Sequence, residues 1–179
     1  MRSMSPQPLV RTPESWSYRV LVVDDEREIA EIIRTILQGK KNDSEHRRFQ
    51  SSRHLTSEVS SEEAAKGVAR VSHLFEVDIV TSADEALEAV QRSLQEDRPY
   101  ALGFFDVVLG GSKDGFDLVK EIQLLDSQIY SVFVTAYNDR SIDSIDSYLG
   151  SDKVSRWDYM NKPFTEGEIL QKARNFVSL

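Results

Sequence analysis

Residues 19–26 read RVLVVDDE, five strand-forming residues that end abruptly on two aspartates and a glutamate. The run has no polar alternation, the pattern of a strand buried on both faces, as in a parallel sheet under two layers of helix. Three later runs end the same way: ALGFF on Asp106, YSVFV on Thr135, and the short WDYM before Asn161 and Lys162. Strands of a parallel sheet deliver residues from distant parts of the chain to one edge, and ligands bind outside their carboxyl ends.

The segments between these runs carry helical periodicity. Residues 26–38 place Ile29, Ile32, Ile33, Ile36 and Leu37 on one stripe, stopped by Gly39. A second strand is expected at 75–81, then a capping box of Ser82 and Glu85 opening a helix with Ala86, Leu87, Val90 and Leu94. A third strand at 100–105 precedes a helix at 116–125 bearing Val119, Ile122 and Leu125. A fourth strand at 130–134 precedes a helix at 141–149 with Ile142, Ile145 and Leu149. A fifth strand at 157–160 leads to a helix capped by Thr165 and Glu168 and bearing Ile169, Leu170, Ala173 and Val177. Five βα units in succession imply an α/β fold, a parallel sheet with helices on both faces.

One stretch breaks that rhythm. About 35 residues, 40–74, stand where a connection normally takes only a few. The first part is charged, serine-rich and aperiodic. The second has a capping box of Ser60 and Glu63, with Ala64, Val68, Val71 and Phe75 on one helical face. His46, His54 and His73 lie here, but their spacings match no metal-ligand pattern. The expectation is a surface excursion with one packed helix; a docking or dimerisation element is the sharper reading. Residues 1–17, with Pro6, Pro8 and several serines, read as a flexible arm.

Bulk properties narrow the function. The chain has 179 residues, 40% hydrophobic and 9% aromatic, which suits one globular domain. A net charge of −8 argues against nucleic acid as a direct partner, since phosphate binding needs a basic face. The absence of cysteine excludes disulfides and thiolate metal sites and fits a cytoplasmic setting. No apolar run approaches the ~18 residues of a membrane span, so no membrane partner is expected.

Asp24, Asp25 and Asp106 would converge if the first and third strands are neighbours. Carboxylates that close repel one another unless a cation neutralises them. An oxygen-only set suits Mg²⁺, with Mn²⁺ as an alternative. One carboxylate can then act as a nucleophile toward phosphorus, giving an aspartyl-phosphate. Thr135 can hydrogen-bond a phosphoryl oxygen, and Lys162 can set a cation against it. Taken singly, each residue has a plainer role; Asp24 or Asp25 could simply cap the helix that follows.

Four segments together, VLVVDDE (20–26), FFDVVLGGSKDG (104–115), FVTA (133–136) and DYMNKPF (158–164), resemble the receiver domain of two-component response regulators. The resemblance covers 18–179 apart from the 40–74 insert. It implies a flavodoxin-like, doubly wound (βα)5 fold with a five-stranded parallel sheet. It implies that Asp106 is the phosphoacceptor, charged by the phosphohistidine of a histidine kinase or phosphotransfer protein. Asp25 would bind Mg²⁺ directly, Asp24 largely through water, and the Val108 backbone carbonyl would complete the protein ligands. Thr135 and Lys162 would clamp the phosphoryl group. Tyr159 would report activation by its rotamer, and the helix at 141–149, the fifth strand and the last helix would form the face that changes. The domain would be a signalling module rather than an enzyme, catalysing only its own phosphorylation and slow autodephosphorylation. Val108 and Tyr137 flank the path of attacking water, and neither can orient it. Downstream, the resemblance implies an effector domain or protein and a homodimer through the changing face. The domain could be the receiver part of a larger regulator or hybrid kinase.

The sequence departs from that family in places. The loop VVLGGSKDG after Asp106 lacks the usual proline and is about one residue longer, with Gly110 and Gly111 in its place. The stretch from Thr135 to Lys162 is also somewhat long. Two other readings compete. A haloacid-dehalogenase-like phosphatase wants an acid two residues after the nucleophile, where Asp106 has Val108 and Asp25 has Arg27. A receiver-like interaction scaffold that is never phosphorylated would normally have lost one of these residues.

Overall fold

The computed structural model describes residues 17–39, 75–136, 148 and 156–177. The strands are β1 (Tyr18–Val23), β2 (Phe75–Val80), β3 (Leu102–Asp106), β4 (Tyr130–Thr135) and β5 (Trp157–Asn161). The helices among the described residues are α1 (Arg27–Gln38), α2 (Ala83–Gln95), α3 (Gly115–Leu125) and α4 (Glu166–Val177). The strands form one parallel sheet in the order β2-β1-β3-β4-β5. This is the doubly wound α/β fold expected from the alternating runs. The insert expected at 40–74 with its helix, and residues 1–16 of the arm expected at 1–17, lie outside the described residues. Of the helix expected at 141–149 only Tyr148 is described, and it is helical.

Pleating explains the unalternating strands. Val20 and Val22 of β1, with Leu102 and Phe104 of β3, pack on one face against Ala30, Ile33 and Leu37 of α1 and Ile169 and Ala173 of α4. Leu21, Val23, Phe105 and Phe133 pack on the other face against Ala86 and Val90 of α2 and Phe116, Val119 and Ile122 of α3. Both faces are dry, so every position of β3 is buried.

Among the described residues the periodicity located the helices correctly but over-drew their buried stripes. Ile32, Leu94, Leu125 and Val177 are exposed, whereas Ala30, Ala89 and Ser93 are buried. A helix laid on a sheet is closest along a narrow line, where small side chains fit and larger ones diverge to the rim. Ser93 tolerates burial because its hydroxyl donates to the Val90 carbonyl at 2.8 Å. Caps also differ in detail. Thr165 and Glu168 form a reciprocal capping box on α4. On α2, Ser82 accepts from the Glu85 N–H at 3.3 Å, but the Glu85 carboxylate reaches one residue further back, to the Thr81 N–H at 2.8 Å. No helix among the described residues is long and apolar enough to cross a membrane.

Candidate functional site

Because β1, β3, β4 and β5 are successive neighbours, their carboxyl ends bring Asp24, Asp106, Thr135 and Lys162 to one edge. Asp106 is the last residue of β3, in register with Val134, and Thr135 is the last of β4, in register with Asn161. Lys162 is held there by its own N–H, which donates to the Thr135 carbonyl at 2.7 Å. Its side chain then turns inward. The ammonium lies 2.7 Å from Asp106 Oδ2 and 2.8 Å from Asp24 Oδ2.

Asp24 and Asp106 are buried, and Asp25 is exposed. Ligand oxygens of all three lie within 4.8 Å of one another. Each buried carboxylate is oriented twice. Asp24 Oδ1 accepts the Glu26 N–H at 3.0 Å and Asp106 Oδ1 the Val108 N–H at 3.1 Å, while both Oδ2 atoms face Lys162. The helix-capping role open to this acidic pair is thus partly real: Asp24 tightens the turn into α1 without capping it, since Glu26 holds the N-cap position.

Burial pushes the Asp24 carboxyl above its ordinary range; Lys162 pulls against that, and Asp106 adds to it. For Lys162, burial works against the charged form, but the two carboxylates outweigh it and hold the proton more tightly than usual. One ammonium therefore engages two of the three clustered carboxylates, and Asp25 has no hydrogen-bond or ion-pair partner among the described residues. The cluster keeps a surplus of negative charge and an unengaged oxygen donor. That donor set fits a hard divalent cation such as Mg²⁺.

Glycines make the approach possible. A Cβ at Gly115 would fall 2.1 Å from the Asp106 carbonyl oxygen. The bare Gly115 instead lets α3 begin directly behind Asp106, with its N–H on the Val107 carbonyl at 2.9 Å. The periodicity marked only that α3 begins nearby; the Asp114-Gly115 pair, an N-cap followed by a residue without a side chain, was the available signal. Of the other residues singled out, Val108 is half-exposed beside Asp106. Tyr159 is half-buried against the α2/α3 face of the core. Tyr137 lies outside the described residues.

A second polar cluster, unsuspected from the sequence, occupies the opposite end of the sheet. Arg19 donates to Asp78 Oδ2 at 2.7 Å and to the Arg98 carbonyl at 2.9 Å, with its guanidinium 4.5 Å from the Tyr100 ring centroid. Tyr100 donates to the same Asp78 oxygen at 2.7 Å. Its partners are long-range, so no local pattern announces it.

No protein-family model matches the chain, and no curated protein sequence matches it. Solved structures do. A CheY-like response regulator receiver domain from Methanospirillum hungatei superposes with a TM-score of 0.56 at 21% identity, covering 90% of this chain and 94% of that one. The Thermotoga maritima response regulator TrrA, solved in complex with Mg²⁺ and beryllofluoride, superposes at 0.53 with 19% identity, covering 89% and 98%. A Francisella response regulator receiver domain superposes at 0.54 with 20% identity, covering 90% and 98%. The fold is that of response regulator receiver domains.

Proposed function

We propose that this chain is a phosphoacceptor module of a two-component phosphorelay, spanning 18–179 with an arm at 1–17 and an insert at 40–74, and working in the cytoplasm. Asp106 accepts a phosphoryl group from the phosphohistidine of a histidine kinase or phosphotransfer protein. An Asp106 oxygen forms the bond to phosphorus as the phosphorus–nitrogen bond breaks, and the electron pair leaves with the imidazole. The observation that carries this reading is the Lys162 ammonium shared by Asp106 and Asp24 at 2.7 and 2.8 Å, beside a third carboxylate with no partner among the described residues.

The residues divide the work. Asp24, Asp25, Asp106 and the Val108 carbonyl would hold Mg²⁺ or Mn²⁺, which when bound supplies positive charge for the oxygens of the transferring group. Lys162 offsets the negative charge of Asp106 before transfer and is within reach of a new phosphoryl oxygen after it. The Val108 N–H orients one acceptor oxygen. The Thr135 hydroxyl, one strand over, is the hydrogen-bonding partner for the product. Thr135 then biases the stretch that follows it, Tyr159 on β5, and α4 toward a second arrangement read by an effector domain, an effector protein or a second copy of the chain.

The test is incubation with acetyl phosphate and Mg²⁺, read by intact-protein mass spectrometry. A single phosphoryl group should appear in the wild type and be absent in Asp106→Asn. No transfer by a folded wild type, with neither acetyl phosphate nor beryllofluoride acting on it, would leave the interaction scaffold as the better reading.

A further inference from the structure

The loop leaving Asp106 passes close over Asp25, and one residue makes that possible. Gly110 has φ of +58°, in the left-handed region that side chains rarely adopt. A Cβ built on it would stand 2.9 Å from Asp25 Oδ2 and 3.9 Å from Asp25 Cγ. Its neighbours hold the backbone there. Leu109 is buried in the core on the α2/α3 face, and the Val108 N–H is bonded to Asp106 Oδ1. A methyl at Gly110 therefore cannot be relieved by lifting the loop without withdrawing Leu109. The Asp25 carboxylate, exposed and without a partner among the described residues, is the group that gives way.

We propose that Gly110 is a positioning residue: its missing side chain leaves the Asp25 carboxylate at the cation seat. This rests on the reading of Asp24, Asp25 and Asp106 as a divalent-cation site. Gly110 thus acts as a spacer over Asp25. Adjacent Gly111 supplies a control, because a Cβ there meets only the Leu109 carbonyl oxygen, at an ordinary 3.7 Å.

Isothermal titration with Mg²⁺ alone, on the full chain, tests this. Gly110→Ala should weaken binding about 10-fold, the loss typical when a ligand's support is disturbed, while Gly111→Ala should change it by less than about twofold. The melting temperature in chelator separates this from misfolding, and for Gly110→Ala it should fall by only a few degrees. In an Asp25→Ala background, Gly110→Ala should weaken binding no further, since the displaced carboxylate is gone. An unchanged affinity in Gly110→Ala, with Asp25→Ala impaired, overturns the proposal and leaves the cation site standing. Additive losses in the double variant overturn it too, because the strained backbone alone would then be the cause. An Asp25→Ala variant that binds Mg²⁺ normally overturns both readings.

Discussion

The Lys162 ammonium lies 2.7 Å from Asp106 Oδ2, between residues 56 positions apart in the chain. The same ammonium is 2.8 Å from Asp24 Oδ2, so one cation holds together the ends of β1 and β3 and the turn after β5. Replacing it by Met leaves two buried carboxylates facing each other. Removing one partner of a fully buried pair costs ~3–5 kcal/mol; Lys162 retains some solvent contact, so about 2 kcal/mol is expected here. Urea unfolding in chelator should show that loss in Lys162→Met. Added Mg²⁺ should recover part of it, because a divalent cation can take over the neutralisation.

Gly115 is held to no side chain by the clash at 2.1 Å with the Asp106 carbonyl oxygen, which is backbone and cannot swing away. Overpacking a filled site costs typically ~1–3 kcal/mol, and Gly115→Ala should lie at the upper end. Thermal unfolding would show it. The acetyl-phosphate labelling of Asp106 should fall as well, since the strand end has to move.

The phosphorylated form should be long-lived. On the receiver-domain reading, the second residue after Asp106 and the second after Thr135 border the path of attacking water; in this sequence they are Val108 and Tyr137, and neither offers a carboxylate or amide to orient a water molecule. Label introduced from acetyl phosphate should persist well beyond a few minutes after the donor is removed. Val108→Asn and Tyr137→Gln should each shorten that lifetime. Loss from the wild type within seconds would contradict the reading.

Tyr100 supplies a pH dependence away from the site. Burial raises its phenol above the ordinary value of 10.0, and its hydrogen bond to Asp78 adds to the shift. The folded chain therefore keeps a proton that the unfolded chain gives up near pH 10. The contribution is complete below that pH and is lost as pH rises toward the folded-state value. Urea midpoints measured from pH 8 to pH 11 should fall more steeply in the wild type than in Tyr100→Phe. At neutral pH the same substitution should cost about 1 kcal/mol for the lost hydrogen bond.

Read by itself, the chain determined the order and type of its elements and which polar residues stand at strand ends. RVLVV before Asp24, ALGFF before Asp106 and YSVFV before Thr135 suffice for that, because burial on both faces removes alternation and a parallel sheet collects its carboxyl ends on one edge. Depth and partnership were another matter. Periodicity assigns a residue to a face but not to a distance, so Ile32 and Leu94 lie exposed where Ala30 and Ser93 are covered. Adjacent Asp24 and Asp25 are indistinguishable as text, yet one is buried against Lys162 and the other open beneath Gly110. Only tertiary packing could decide that. The contacts that separate these aspartates come from β5 and the loop after β3, and pairings between segments so far apart leave no local pattern in either one.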